Sequence, residues 1–235
     1  KEGCATCHTL HAAQWSTSMH AFSSFNNPYY RFAFDQYVNK VGQERAAFCG
    51  GCHDPALLMA GLLTARIQAQ EPLAHAGVTC LSCHAIDSAT VDGVGSFSLD
   101  ARKVQTPNPK DPKSVQAHRA RMARPALKTN ALCISCHRGF LSEASGHPVF
   151  IPALEEFTPW QKSPYSGNQA GSHFAEVQAK NCVGCHMPEM NFKDTQGRVQ
   201  TGHSHRFPGG HTDFAHALND ALAIKVQADF LKERT

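Results

Sequence analysis

What this 235-residue chain lacks narrows its chemistry first. It has no apolar run approaching 18 residues, the least a membrane-crossing helix needs, so no direct membrane span is expected. The most apolar stretch, Ala56 to Ile67, is interrupted by Gly61, Thr64 and Arg66. Charge is sparse at 17%, and 22 basic against 19 acidic residues leave a net +3, too little to mark a nucleic-acid partner. The local basic run Lys113, Arg119, Arg121, Arg124 and Lys128 is expected to pair with cofactor carboxylates or water. A secretory leader is not visible: Lys1-Glu2-Gly3 runs straight into the first cysteine, which suggests a processed or trimmed start. Nor is any cysteine left on its own.

All ten cysteines fall in five Cys-x-x-Cys-His pentapeptides. The first has Cys4, Cys7 and His8; the second Cys49, Cys52 and His53; the third Cys80, Cys83 and His84. The fourth has Cys133, Cys136 and His137, and the fifth Cys182, Cys185 and His186. This is the attachment signature of c-type haem: two thiols add to the porphyrin vinyls and the adjoining imidazole reaches the iron. Zinc knuckles would pair such motifs into Cys4 tetrahedra, but five is an odd number and zinc needs no histidine after each second cysteine. A disulfide framework accounts for an even cysteine count and not for the histidines. Iron–sulfur clusters use other spacings. Five haem c groups are therefore expected, with the ten cysteines as attachment sites and the five motif histidines as iron ligands.

Five haems in one chain make the interior largely porphyrin. Their propionates and ferric cores shift the net charge to roughly −2 when oxidised and −7 when reduced. The expected fold is mainly α with extensive loops and little or no β-sheet, a single domain over residues 1–235 wrapped around a row of haems. Thirteen Pro and seventeen Gly fit such a wrap. The motifs begin at 4, 49, 80, 133 and 182, too unevenly for a solenoid repeat. A helix is predicted over Thr9–Phe22, another from Asp54-Pro55 to about Gln70, and a last one from Thr212 or Asp213 to the end. Asp87–Lys113 and Gly139–Gly171 are predicted to be irregular loops.

Ten histidines lie outside the motifs: His11, His20, His75, His118, His147, His173, His203, His205, His211 and His216. Five irons need at most five of them. Imidazole on both faces gives a low-spin iron that reorganises little on reduction and offers substrates no open position. His75, just before the third motif, and His147, in a Pro-rich loop, are candidates on position alone. His11 and His216 read as supporting or surface groups.

A family resemblance sharpens this set. Cys4-Ala-Thr-Cys7-His8 followed by Trp15-Ser16-Thr17-Ser18-Met19-His20 resembles the opening of the multihaem cytochromes grouped with hydroxylamine oxidoreductase, its tetrahaem cytochrome partner and tetrathionate reductase. Gly77-Val78-Thr79-Cys80-Leu81-Ser82-Cys83-His84 looks like a further element of that group. So does Cys182-Val183-Gly184-Cys185-His186-Met187-Pro188 with the later Ser204-His205-Arg206-Phe207-Pro208-Gly209-Gly210. The resemblance implies distal-ligand roles for His20, toward the third-motif haem, for His118, toward the first, and for His205. The Gly-Pro-Gly often found after the third motif is Ala85-Ile86-Asp87 here.

These features together predict an exported protein, periplasmic or extracellular, that transfers electrons between other redox proteins or cytochromes and has no catalytic residues of its own. Two alternatives stand beside it. One is a subunit of an extracellular cytochrome filament or membrane redox complex, which such chains resemble in size and haem density. The other is a reductase or oxidase of nitrogen or sulfur oxyanions. Against the latter, there is no Cys-x-x-Cys-Lys, and none of Tyr29, Tyr30, Tyr37 and Tyr165 has a recognisable catalytic context.

Overall fold

The computed structural model describes residues 2–64, 67, 70–168 and 177–233. Short helices carry the architecture: α1 (Glu2–Cys7), α2 (Thr9–Ser16), α3 (Pro28–Val41), α4 (Gln43–Ala46), α5 (Gly50–His53), α6 (Pro55–Met59) and α7 (Cys80–His84). They continue as α8 (Pro112–Met122), α9 (Asn130–Ile134), α10 (Phe157–Lys162), α11 (Cys182–His186), α12 (Thr212–Ala217) and α13 (Ala221–Lys232). Three two-stranded antiparallel sheets interrupt them: β1 (Ile86–Ala89) with β2 (Phe97–Leu99), β3 (Arg138–Leu141) with β4 (Ile151–Glu155), and β5 (Glu189–Lys193) with β6 (Val199–His203). The mainly helical, loop-rich expectation holds, with these small hairpins as its only sheet among the described residues.

Each attachment motif sits on a helical turn, and the spacing explains why. On a helix, residues three and four apart share a face, so both thiols and the following imidazole project to the same side. Polar residues start two of these turns: Thr79 and Ser82 form a reciprocal capping box ahead of Cys80, and Asn181 accepts from Gly184 N at 2.8 Å ahead of Cys182.

Several boundaries differ from the sequence reading. The first predicted helix stops at Ser16, because residues 17–24 turn tightly to bring Ser18 N onto Trp15 O and Ala21 N onto Ser18 O. The Asp54-Pro55 start is real, but α6 ends at Met59 and Gly61 takes a left-handed backbone (φ 68°). Residues 65, 66, 68 and 69 of that predicted helix lie outside the described residues. The terminal helix is two, since Asn219 adopts φ 52° and Asp220 caps α13 through Ala223 N at 3.0 Å. Both predicted loops contain hairpins. Gly93 and Gly95, each at φ 81°, supply the reversal between β1 and β2.

The side-chain core is small. Thirteen apolar residues are buried among those described, and eight of them form one cluster: Phe25, Tyr30, Phe34, Ala46, Leu57, Leu63, Ile67 and Ala74. That cluster spans residues 25–74 alone. A chain of this length ordinarily buries apolar side chains throughout. Outside the cluster, Leu81, Leu218 and Leu222 are all more than 40% exposed.

Candidate haem-binding site

Several motif cysteines lie beside cysteines of other motifs. The Cys80 thiol holds Cys4 down to about 6, and Cys52 holds Cys136 down to about 7. Cys182 is lowered by Cys133 in the same way. Burial raises Cys49 to about 11 and Cys83 to about 12. The first motif therefore adjoins the third, the second adjoins the fourth, and the fourth adjoins the fifth. Backbone contacts repeat the last two relations: Cys136 Sγ donates to Gly51 O at 3.9 Å, and Cys182 N donates to Asn130 Oδ1 at 2.9 Å. The second thiols of the outer motifs are reached from solvent. Cys7 is exposed at the end of α1. Cys185 is half-buried on α11, where its N–H donates to Asn181 O at 3.2 Å and holds it three residues on from Cys182 along the helical turn.

The histidines test whether these residues fit haem. An iron ligand binding through Nε2 needs its Nδ1 held by an acceptor, which fixes tautomer and ring direction. Four of the five motif histidines have that arrangement. Nδ1 lies 2.9 Å from Ser23 O in His53, 3.0 Å from Met122 O in His84, 3.1 Å from Glu156 Oε2 in His137 and 2.7 Å from Pro208 O in His186. Among the others, His118 meets Gln105 O at 3.3 Å, His147 meets Val149 O at 2.6 Å, and His205 meets His203 O at 2.9 Å.

Ring pairing completes the test. Two imidazole nitrogens bonded to one metal at about 2.0–2.1 Å each set ring centroids roughly 6.3 Å apart. His8 and His118 lie 6.4 Å apart, His84 and His205 6.1 Å, and His20 and His137 6.1 Å. Each pair joins one motif histidine to one predicted distal histidine from a remote segment. The ring planes are near parallel in the first two, at 15° and 10°, and near perpendicular in the third, at 80°. His11 also stands 6.1 Å from His8, but it follows on the next turn and projects from the same side, so it cannot face His8 across a porphyrin. Among the described residues no three His, Cys, Asp or Glu side chains converge as a protein-only metal cage would. Two protein ligands per iron, with the porphyrin supplying the rest, is the arrangement this chain fits.

Electrostatics favour the ligating form. Burial, then the neighbouring His137 and His205, lowers His20 to about 4. Burial also lowers His205 to about 4; the hydrogen bond to the His203 carbonyl opposes this, and the nearby His11 and His84 add to it. Both imidazoles are neutral at pH 7, as a metal ligand must be. The pairing departs from what the resemblance implies in one respect: His20 faces His137 of the fourth motif, and the ring facing His84 of the third is His205. His118 faces His8 of the first motif.

Long-range contacts set these positions. Trp15 Nε1 donates to Val78 O at 2.8 Å and Val78 N donates to His20 O at 2.9 Å, so the Trp-x-x-Ser-x-His element and Gly77-Val78 are one packed unit. Gly77 (φ 61°) leaves no room for a side chain against the His20 and Ala21 carbonyls. Phe207, left-handed at φ 48°, places its ring 4.3 Å from His20 and 5.8 Å from His205, between two distal candidates. The buried Gln14 accepts from His205 N at 2.9 Å and so ties that histidine to α2. Neither Phe207 nor Gln14 was anticipated from the sequence.

The remaining candidates scatter. His53 is stacked by Tyr30 at 4.2 Å and 11°, and the His186 ring lies 5.2 Å from Phe230. His75 ends the Pro72–His75 turn, which is tied to the second motif through Ser24: its hydroxyl donates to Ala74 O at 3.0 Å and to the buried Asp54 carboxylate. His147 sits at the β3–β4 connection. His203 meets Met187 O at 2.7 Å, and His173 lies outside the described residues. The basic run pairs within the protein: Arg124 bridges Asp87 and Asp100, Arg121 reaches Asp100, and Arg119 reaches Gln200. One nitrogen of Arg121 stays buried without a partner.

Comparison with known proteins bears on family and fold. Residues 3–85 match the family described as cytochrome c554 and c-prime. The fold is similar to that of a penta-haem cytochrome c552 from Thermochromatium tepidum, with a TM-score of 0.52 and 21% identity, covering 89% of this chain and 57% of that one. The chain thus spans little more than half the length of that relative. No curated protein matches. In fold, the chain resembles a penta-haem cytochrome c, and its first third matches the cytochrome c554 and c-prime family.

Proposed function

We propose that this chain holds five covalently bound haems, most with histidine on both faces, and moves electrons between exported redox partners without transforming a substrate. The observation that carries this reading is the set of three imidazole pairs at 6.1–6.4 Å, each joining a motif histidine to a distant one. When bound, the cofactor supplies one-electron ferric/ferrous chemistry. The residues do the rest. Ten cysteines, from Cys4 to Cys185, fix position, and Nδ1 acceptors fix ring orientation. Distal histidines His118, His205 and His20 close the irons of the first, third and fourth motifs, and His75 and His147 are the remaining distal candidates. The contacts between motif thiols support short steps along a network linking motif 1 to 3, 2 to 4 and 4 to 5.

A second reading, membership of a larger cytochrome assembly, draws on β4. All five of its residues are exposed, and Val149, Phe150, Ile151 and Leu154 are large apolar residues left exposed at or just before it. Either way the test is the same: the purified protein should exchange electrons rapidly with a second cytochrome. Steady turnover of nitrite, hydroxylamine or tetrathionate above the rate of free haem would overturn the carrier reading.

A further inference from the structure

The fourth motif differs from the others in the partner of its histidine. His53, His84 and His186 set Nδ1 against neutral backbone carbonyls. His137 sets it against a carboxylate, Glu156 Oε2, at 3.1 Å. The contact is built from both sides. Glu156 follows β4 directly, its own backbone N–H donates to His137 O at 3.2 Å, and Arg138 pairs with Glu155 in the β3–β4 register. Glu156 thus holds His137 twice, its backbone on the main chain and its carboxylate on the imidazole. The fourth motif also stands beside three others: Cys136 lies against Cys52 of the second motif and Cys133 against Cys182 of the fifth, with Cys83 of the third close to both.

We propose that Glu156 is a positioning residue that sets the reduction potential of the fourth-motif haem below those of its neighbours, making that junction the gate of the electron network. The inference rests on the reading of His137 as an iron ligand. The chemistry is direct. A carboxylate accepting the Nδ1 proton gives the imidazole part of the character of an imidazolate and makes it a stronger donor. A stronger donor stabilises ferric over ferrous iron, so the one-electron potential falls. The proton stays shared between Nδ1 and Oε2 throughout, and one electron enters or leaves with no other reactant. A low-potential centre at a junction slows passage between the branches until its neighbours are reduced.

The experiment is a redox titration of the five-haem protein, followed by visible and electron paramagnetic resonance spectra at each potential. Wild type, E156Q and E155Q are compared. E156Q keeps an acceptor and loses the charge. E155Q removes the same charge one residue away, from a carboxylate that pairs with Arg138 and touches no histidine. One of the five couples in E156Q should move positive by about tenfold in its ferric-to-ferrous ratio at fixed potential, about 59 mV for one electron, while the other four stay in place. E155Q should leave all five within a small fraction of that. Should E156Q fail to retain five haems, E156D, which holds the charge on an arm too short to reach Nδ1, is expected to shift the same couple in the same direction. Superimposable titrations, or an equal shift in E155Q, would overturn the proposal. Failure of the underlying ligation reading would show separately, as dominant high-spin iron in wild type before any variant is made.

Discussion

Replacing Gly77 by Ala tests the packing that holds His20, and its size follows from the structure. Gly77 sits at φ 61°, where an L side chain costs about 1–2 kcal/mol. A Cβ there would come within 3.0 Å of the Ala21 carbonyl oxygen and nearer still to that of His20, so the chain beneath must move. Movement breaks the Val78 N–H···O=C His20 hydrogen bond, now 2.9 Å, a loss of about 0.5–1.5 kcal/mol. The total is about 1.5–3.5 kcal/mol, and for a chain of this length about 3–14 °C in Tm. Gly197 provides the control: it has φ 75° and open space around it, so Gly197→Ala carries only the backbone term. The assay is thermal loss of the low-spin absorption, with spin state read before heating. Gly77→Ala should melt clearly below Gly197→Ala and show part of one haem in high spin. Equal melting of the two variants, with spin state untouched, would refute the account of how His20 is held.

Other outcomes follow from the same structure. His118→Ala and His20→Ala should each convert one haem to high spin while denaturing mass spectrometry still finds five attached groups. Ring planes at 15° and 10° against 80° predict two rhombic low-spin signals and one strongly anisotropic one. Phe207→Ala, which frees the His20 ring, should change the anisotropic signal without reducing the low-spin count. Asp100 is held well below the usual carboxylate range, chiefly by hydrogen bonds from Arg102 and then by Arg124. Its folded-state pKa is depressed, so its stabilising effect is present above the ordinary carboxylate pKa and fades as pH falls toward the folded value. Asp100→Asn should therefore melt below wild type at neutral pH, the two curves converging in acid.

The attachment chemistry was legible because it is local: cysteines three apart and a histidine one further on declare a helical turn and its cargo together. Helix starts were equally local, yet two went unread. Asn27-Pro28 and Asp111-Pro112 carry the same signal as Asp54-Pro55, and both side chains cap, Asn27 onto Tyr29 N and Asp111 onto Lys113 N, each at 3.0 Å. At Asp54 itself the side chain does not cap, because burial against Ser24 takes it. The hairpins were hidden by their shortness, since strands of three to five residues hardly express an alternating pattern. Ligand pairing lies beyond local reading altogether. Nothing near His205 reveals that Gln14, 191 residues away in sequence, fixes its backbone, or that His84 is the ring it faces.

The most direct test of the central claim is spin quantitation of the fully oxidised protein by electron paramagnetic resonance, normalised to haem content. Low-spin ferric iron is expected for at least four of five haems, with the bond from each distal histidine intact. High-spin ferric iron in two or more haems per chain would contradict it, and with it the view of this protein as a closed carrier of electrons.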